Sequence, residues 1–108
     1  MYEQFEIQPL RLLAGWTVEF NAFYQCEPNN CSNFEAYFTE DLLQLSNNRY
    51  NLIIDLGWYG DINGTYKLYL VKNCNWEEPL EVVSTRNPNV IIEKIELWSN
   101  YYFFQKYL

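Results

Sequence analysis

Histidine is absent from the chain. That removes the commonest general base and metal ligand, and every Ser-His or Cys-His nucleophile pair. Basic residues are scarce, seven against fourteen acidic ones, for a formal net charge of −7. Phosphate binding needs a basic stripe, so direct binding of nucleic acid is not expected. Glycine and proline number four each and are scattered, so no glycine-rich phosphate loop can be assembled. No apolar run approaches the length of a membrane span. The first residues, MYEQFEIQ, lack the basic start and apolar run of a secretory signal. Cys26, Cys31 and Cys74 are an odd set, which without such a signal points to thiols and a cytoplasmic location. Cys26 and Cys31 bracket EPNN and could close a small disulfide if oxidised; small apolar thiols are the expected state. Three cysteines with a carboxylate could hold zinc, but no CxxC pairing supports a metal site. No cofactor is implied.

Aromatic residues are abundant. Ten Tyr, seven Phe and four Trp stand among 108 residues that are 49% hydrophobic. The length fits a single domain, 1–108, with one core. One small core does not comfortably hold so many rings, so several should lie at the surface, where Tyr and Trp favour contact with a partner. The acidic balance favours a basic partner and faster encounter with it. Oligomeric state cannot be read from composition.

The chain is organised around Asn51 to Lys72. Two strand-like runs flank Asn63-Gly64, a pair suited to a tight turn. Leu52, Ile54, Leu56 and Trp58 share one face of the first run. Two registers are possible. A two-residue turn pairs Trp58 with Tyr69 and Gly57 with Leu70. A three-residue loop with Gly64 left-handed pairs Trp58 with Leu68 and Leu56 with Leu70, and sets Tyr69 across from Gly57. The second keeps the apolar sets together and is preferred. It leaves an outer face of Asp55, Tyr59, Lys67 and Tyr69, too aromatic for an ordinary wet surface.

Elsewhere, residues 1–10 read as a lead-in or edge strand. Trp16 to Tyr24 alternates as a half-buried strand, and Gln25 to Asn33 reads as a loop. Phe34 to Ser46 supports two readings. Ser32 and Glu35 have capping-box spacing before a helical pattern, whereas Leu42 to Ser46 reads as a strand. A helical turn within 33–40 followed by a strand at 42–46 reconciles them. Residues 73–79 form a loop carrying Trp76, and Leu80 to Thr85 a short strand. Asn87-Pro88 opens an amphipathic helix of about 15 residues, with Ile91, Ile95, Trp98 and Tyr102 on its apolar face. The expected fold is α+β: an antiparallel sheet of four to five strands with the C-terminal helix packed on one face.

Carboxylate pairs are the remaining catalytic candidates. Glu40-Asp41 and Glu77-Glu78 are adjacent, so in extended chain they point apart. Glu93 and Glu96 flank Lys94 on a helix, as on a solvated face. A carboxylate-dependent hydrolase is thus a weaker reading than a non-enzymatic binding module, and no catalytic residue is assigned.

LAGWTVEFNAFY (13–24), FTEDLLQ (38–44) and IDLGWY (54–59) together resemble small bacterial immunity proteins encoded beside contact-dependent growth inhibition and other polymorphic toxins. The resemblance implies binding and neutralisation of a cognate toxin domain, often a basic nuclease, in the cytoplasm. It transfers no individual contact residue. The partner-binding residues are therefore placed from the chemistry: Asp55, Tyr59 and Tyr69 as one patch, with Glu40, Asp41, Asp61, Trp76, Glu77 and Glu78 on loops or the rim. A general acidic interaction subunit is the alternative.

Overall fold

The computed structural model describes residues 5–108. The first four residues of the expected N-terminal lead-in lie outside the described residues. Five antiparallel strands follow one another across a single sheet: β1 (Thr17–Asn21), β2 (Leu43–Asn47), β3 (Leu52–Tyr59), β4 (Thr65–Lys72) and β5 (Glu81–Thr85). Between β1 and β2 lie a 3-10 turn, Pro28–Asn30, and a single helical turn α1, Phe34–Tyr37. The chain closes with α2 (Pro88–Trp98), α3 (Tyr101–Phe104) and a terminal 3-10 turn. The α+β class and the meander are those expected from the strand periodicities.

Alternation in β3 and β4 sorts the sheet into two faces. Leu52, Ile54, Leu56 and Trp58 of β3 and Tyr66, Leu68 and Leu70 of β4 are all buried on one face. Ile91, Ile95 and Trp98 of α2 and Phe104 of α3 complete that core. The β1–β2 connection covers another part of it, contributing Phe23, Cys26, Cys31 and Phe38. Both of these cysteines are thus buried thiols, while Cys74 is exposed. Trp58 is held by this connection, its ring meeting Phe34 and Phe38 at centroid distances of 6.0 and 5.0 Å, and by Tyr66 of β4 at 5.0 Å. The C-terminal helix packs on this face as expected, and the β1–β2 connection shares the cover.

The hairpin register differs from both expected ones. Leu56 pairs with Leu68, Trp58 with Tyr66 and Asp55 with Tyr69. This is two residues from the preferred register, so each residue keeps its face while its partner changes. The connection spans Gly60 to Gly64 rather than three residues. Asp61 explains the longer loop: its carbonyl accepts from Trp58 Nε1 at 2.9 Å and from Gly64 N at 2.8 Å, and its Oδ1 accepts from Asn63 N at 2.8 Å. The left-handed glycine is Gly60, with φ of 101°, not Gly64.

Two further expectations need correction. β1 is not half-buried: Val18 and Phe20 are exposed, and the pairing with β2 is irregular between Val18 and Phe20. That bulge breaks the simple alternation read from the sequence. Helix α1 forms as expected, with Asn33 at its N-cap position. The C-terminal helix stops at Trp98. Asn100 turns extended (φ −86°, ψ 127°), and its side chain accepts from Tyr102 N to begin α3. Ser and Asn bond to nearby backbone in this way and so end helices. Tyr102 is therefore 83% exposed, and Phe104 is the ring that reaches the core. The start of α2 is as expected, with Pro88 in its first turn and Asn87 accepting from Asn89 N at 2.9 Å.

Candidate functional site

The face away from α2 is open. One row of successive strand partners crosses it from edge to edge: Phe20, Gln44, Asp55, Tyr69 and Val82. Its apolar ends stay in solvent, Phe20 at 38% and Val82 at 52% exposure. Beside this row lie Lys67 and Tyr59, with Lys67 Nζ 5.5 Å from the Tyr59 ring centroid. Glu19 also reaches this face, where it accepts from Ser46 Oγ at 2.6 Å.

A bulge brings two further acids to the face. Trp58 N donates to Thr39 O at 2.7 Å, and Leu42 N donates to Leu56 O at 3.0 Å. Between these bonds, Glu40 and Asp41 have no place in the ladder and arch over Gly57. A Cβ at Gly57 would lie 2.3 Å from Glu40 O, so only glycine fits beneath the arch. Gly57→Ala should push Thr39–Asp41 off the sheet and cost about 1–3 kcal/mol of stability, as overpacking does. A denaturant melt checks this; an unchanged midpoint would mean that the arch yields freely.

The acids act on one another. Burial raises the pKa of Asp55 above the ordinary 3.8, a hydrogen bond from Gln44 opposes the rise, and nearby Asp41 adds to it. Burial also raises Tyr59, helped by Tyr69, Asp55, Glu40 and Asp41. Five of the expected residues thus come together: Glu40, Asp41, Asp55 and Tyr69 all lie close enough to act on Tyr59. The remaining four do not join them. Asp61 sits in the β3–β4 turn with its carboxylate engaged by the loop backbone. Trp76, Glu77 and Glu78 are exposed in the β4–β5 connection, beyond the opposite end of β4. With eight residues in β4, that is about 25 Å from the β3–β4 turn, at roughly 3.3 Å per residue.

The pKa shift of Asp55 has a thermodynamic sign. The folded protein keeps this proton at pH values where the unfolded chain has lost it, so stability falls as pH rises through that window. Asp55→Asn should therefore raise the melting temperature at neutral pH, with the gain shrinking as pH falls toward 3.8. Parallel thermal melts across that range check it. A lower melting temperature for the variant at neutral pH would instead make the carboxylate a structural group.

Comparison with protein-family models, curated proteins and solved structures finds no match. The chemistry of the face itself therefore carries the functional conclusion. Among the described residues, no group of three or more His, Cys, Asp or Glu could hold a metal ion, and no helix is long and apolar enough to cross a membrane. The open face instead presents two tyrosines, an aspartate whose ionised form is disfavoured, and exposed apolar side chains at both edges. Sequence reasoning missed Phe20, Gln44 and Val82, which depend on register. Gly57 was a usable signal, since glycine inside a strand often marks close approach of another backbone.

Proposed function

We propose that this chain is an immunity protein that binds and neutralises a cognate bacterial toxin domain through its open, acidic sheet face. The supporting observation is the clustering of Asp55, Tyr59, Tyr69, Glu40 and Asp41 on a face that no helix covers. Asp55 is held where its charge is disfavoured, and a lysine or arginine from a partner would relieve that penalty. Tyr59 and Tyr69 supply amphipathic area beside it, the residue type that anchors interfaces. The net charge of −7 speeds encounter with a basic domain. A basic nuclease, the toxin class implied by the sequence resemblance, fits this chemistry. The binding reaction involves no catalysis, metal or cofactor, and takes place in the cytoplasm of the cell that makes the toxin.

Co-expression tests this reading. The product of the adjacent upstream gene, toxic alone, should be tolerated when the chain is produced with it. Death of the co-expressing cells would defeat the proposal. Binding to a harmless product would leave a general acidic interaction subunit instead.

A further inference from the structure

A second site lies on the core side of the sheet, away from the acidic face. A cavity of about 260 Å³ opens between the β1 lead-in, the β2–β3 turn and the C-terminal helices. Its walls are aromatic: Trp16, Tyr50, Tyr101 and Phe104. Phe104 joins them, with ring centroids 6.1, 5.3 and 5.4 Å from those of Trp16, Tyr50 and Tyr101. Trp16 is fixed by donating from Nε1 to Ser99 O at 2.8 Å. These contacts hold the aromatic wall of the cavity in place.

Two polar groups line this apolar slot. Arg49 lies with its guanidinium 5.3 Å from the Tyr50 ring centroid, on an exposed residue. Asn47 is deeper, only 4% exposed, and its Oδ1 has no hydrogen-bond partner. Asn47 Nδ2 faces Gly15 at the cavity wall, where an added Cβ would lie 3.6 Å away. A half-turn of the carboxamide exchanges its oxygen and nitrogen and turns the oxygen toward Gly15 and the cavity wall. Buried polar groups are nearly always bonded, and one that is not needs an explanation.

We propose that this cavity binds a small planar aromatic molecule carrying an N–H donor and a carboxylate. The ring packs against the aromatic wall. The N–H donates to Asn47, and the carboxylate accepts from Arg49 at the mouth. The size agrees with a single bicyclic ring system, because the volume lies just below the usual range of about 300–1,000 Å³ for ligand pockets. This inference is independent of the open-face function, since none of the cavity residues belongs to that patch.

The test uses indole-3-acetate and its uncharged counterpart indole-3-ethanol, titrated into the isotope-labelled full chain and followed by amide chemical shifts. Indole-3-acetate should give saturable shifts centred on Asn47, Arg49, Tyr50 and Tyr101, with a Kd below about 1 mM. Arg49→Gln, on an exposed residue, should weaken indole-3-acetate about fivefold and leave indole-3-ethanol unchanged. Asn47→Leu should abolish binding of both probes while the melting temperature holds or rises, because an unpartnered buried amide is replaced by an apolar group of similar size. A fall in melting temperature for Asn47→Leu would make the amide structural and overturn the proposal. Absence of saturable shifts up to 1 mM, shifts centred elsewhere, or equal affinity in the Arg49→Gln and Asn47→Leu variants would also overturn it.

Discussion

Trp58→Ala should lower the free energy of unfolding by about 3–5 kcal/mol. Trp58 is 1% exposed, joins the sheet to the β1–β2 connection through ring contacts with Phe34 and Phe38, and packs on Tyr66 of β4. Its Nε1 donates to Asp61 O, and the Arg86 guanidinium lies 5.3 Å from its ring centroid. Arg86 in turn donates to the carbonyls of Ile62 and Gly64. Loss of the hydrogen bond contributes about 1 kcal/mol, so the cavity dominates. Domains of this kind have only about 5–15 kcal/mol in total, and the variant should be partly unfolded at growth temperature. Equilibrium denaturation by urea measures the loss. A loss below about 1 kcal/mol would mean that the β1–β2 connection does not depend on Trp58.

The second large effect concerns binding. Asp55→Lys should weaken the complex with the basic partner by about 2–4 kcal/mol while the fold stays intact. The substituted ammonium would replace a partly buried carboxylate with a charge that repels the incoming cation. Tyr59→Ala should weaken it by about 1–3 kcal/mol, through loss of contact area. The two mutations separate the faces. Trp58→Ala acts on stability, whereas Asp55→Lys and Tyr59→Ala act on association. Equal unfolding by all three would place Asp55 and Tyr59 in the core.

Much of this arrangement was legible in the sequence because side-chain period alone assigns faces. Leu52, Ile54, Leu56 and Trp58 share a face at any even register shift. That is why Asp55, Tyr59 and Tyr69 were placed on the open face even though their pairing partners were two residues away. The register itself was hidden. Asn63-Gly64 suggested a short turn, but Asp61 bonds to Trp58, Asn63 and Gly64 make a longer loop stable. Two of these are side chain-to-backbone bonds, and none has a periodic signature. The Glu40–Asp41 arch was partly visible through Gly57, whose need for glycine is steric and comes from a backbone far away in sequence. The end of α2 was obscured because the apolar spacing runs on to Tyr102, and only the Asn100 cap breaks it. Trp76, Glu77 and Glu78 lie in the β4–β5 connection, past the Lys72 end of β4, and not among the strand partners that form the patch.

The interface also runs against stability, as functional sites often do. Asp55 weakens the free protein and should strengthen the complex, so Asp55→Asn should stabilise the fold and weaken binding together. A purely structural acid would move both in the same direction.

Calorimetric titration of the purified chain with the toxin domain encoded beside it tests the central claim most directly, comparing wild type with Asp55→Lys at low and high salt. The expected result is nanomolar-class binding by the wild type, weakened by salt, and a loss of at least about 30-fold in Asp55→Lys at an unchanged melting temperature. No binding by the wild type, or equal affinity in the folded Asp55→Lys protein, would contradict it.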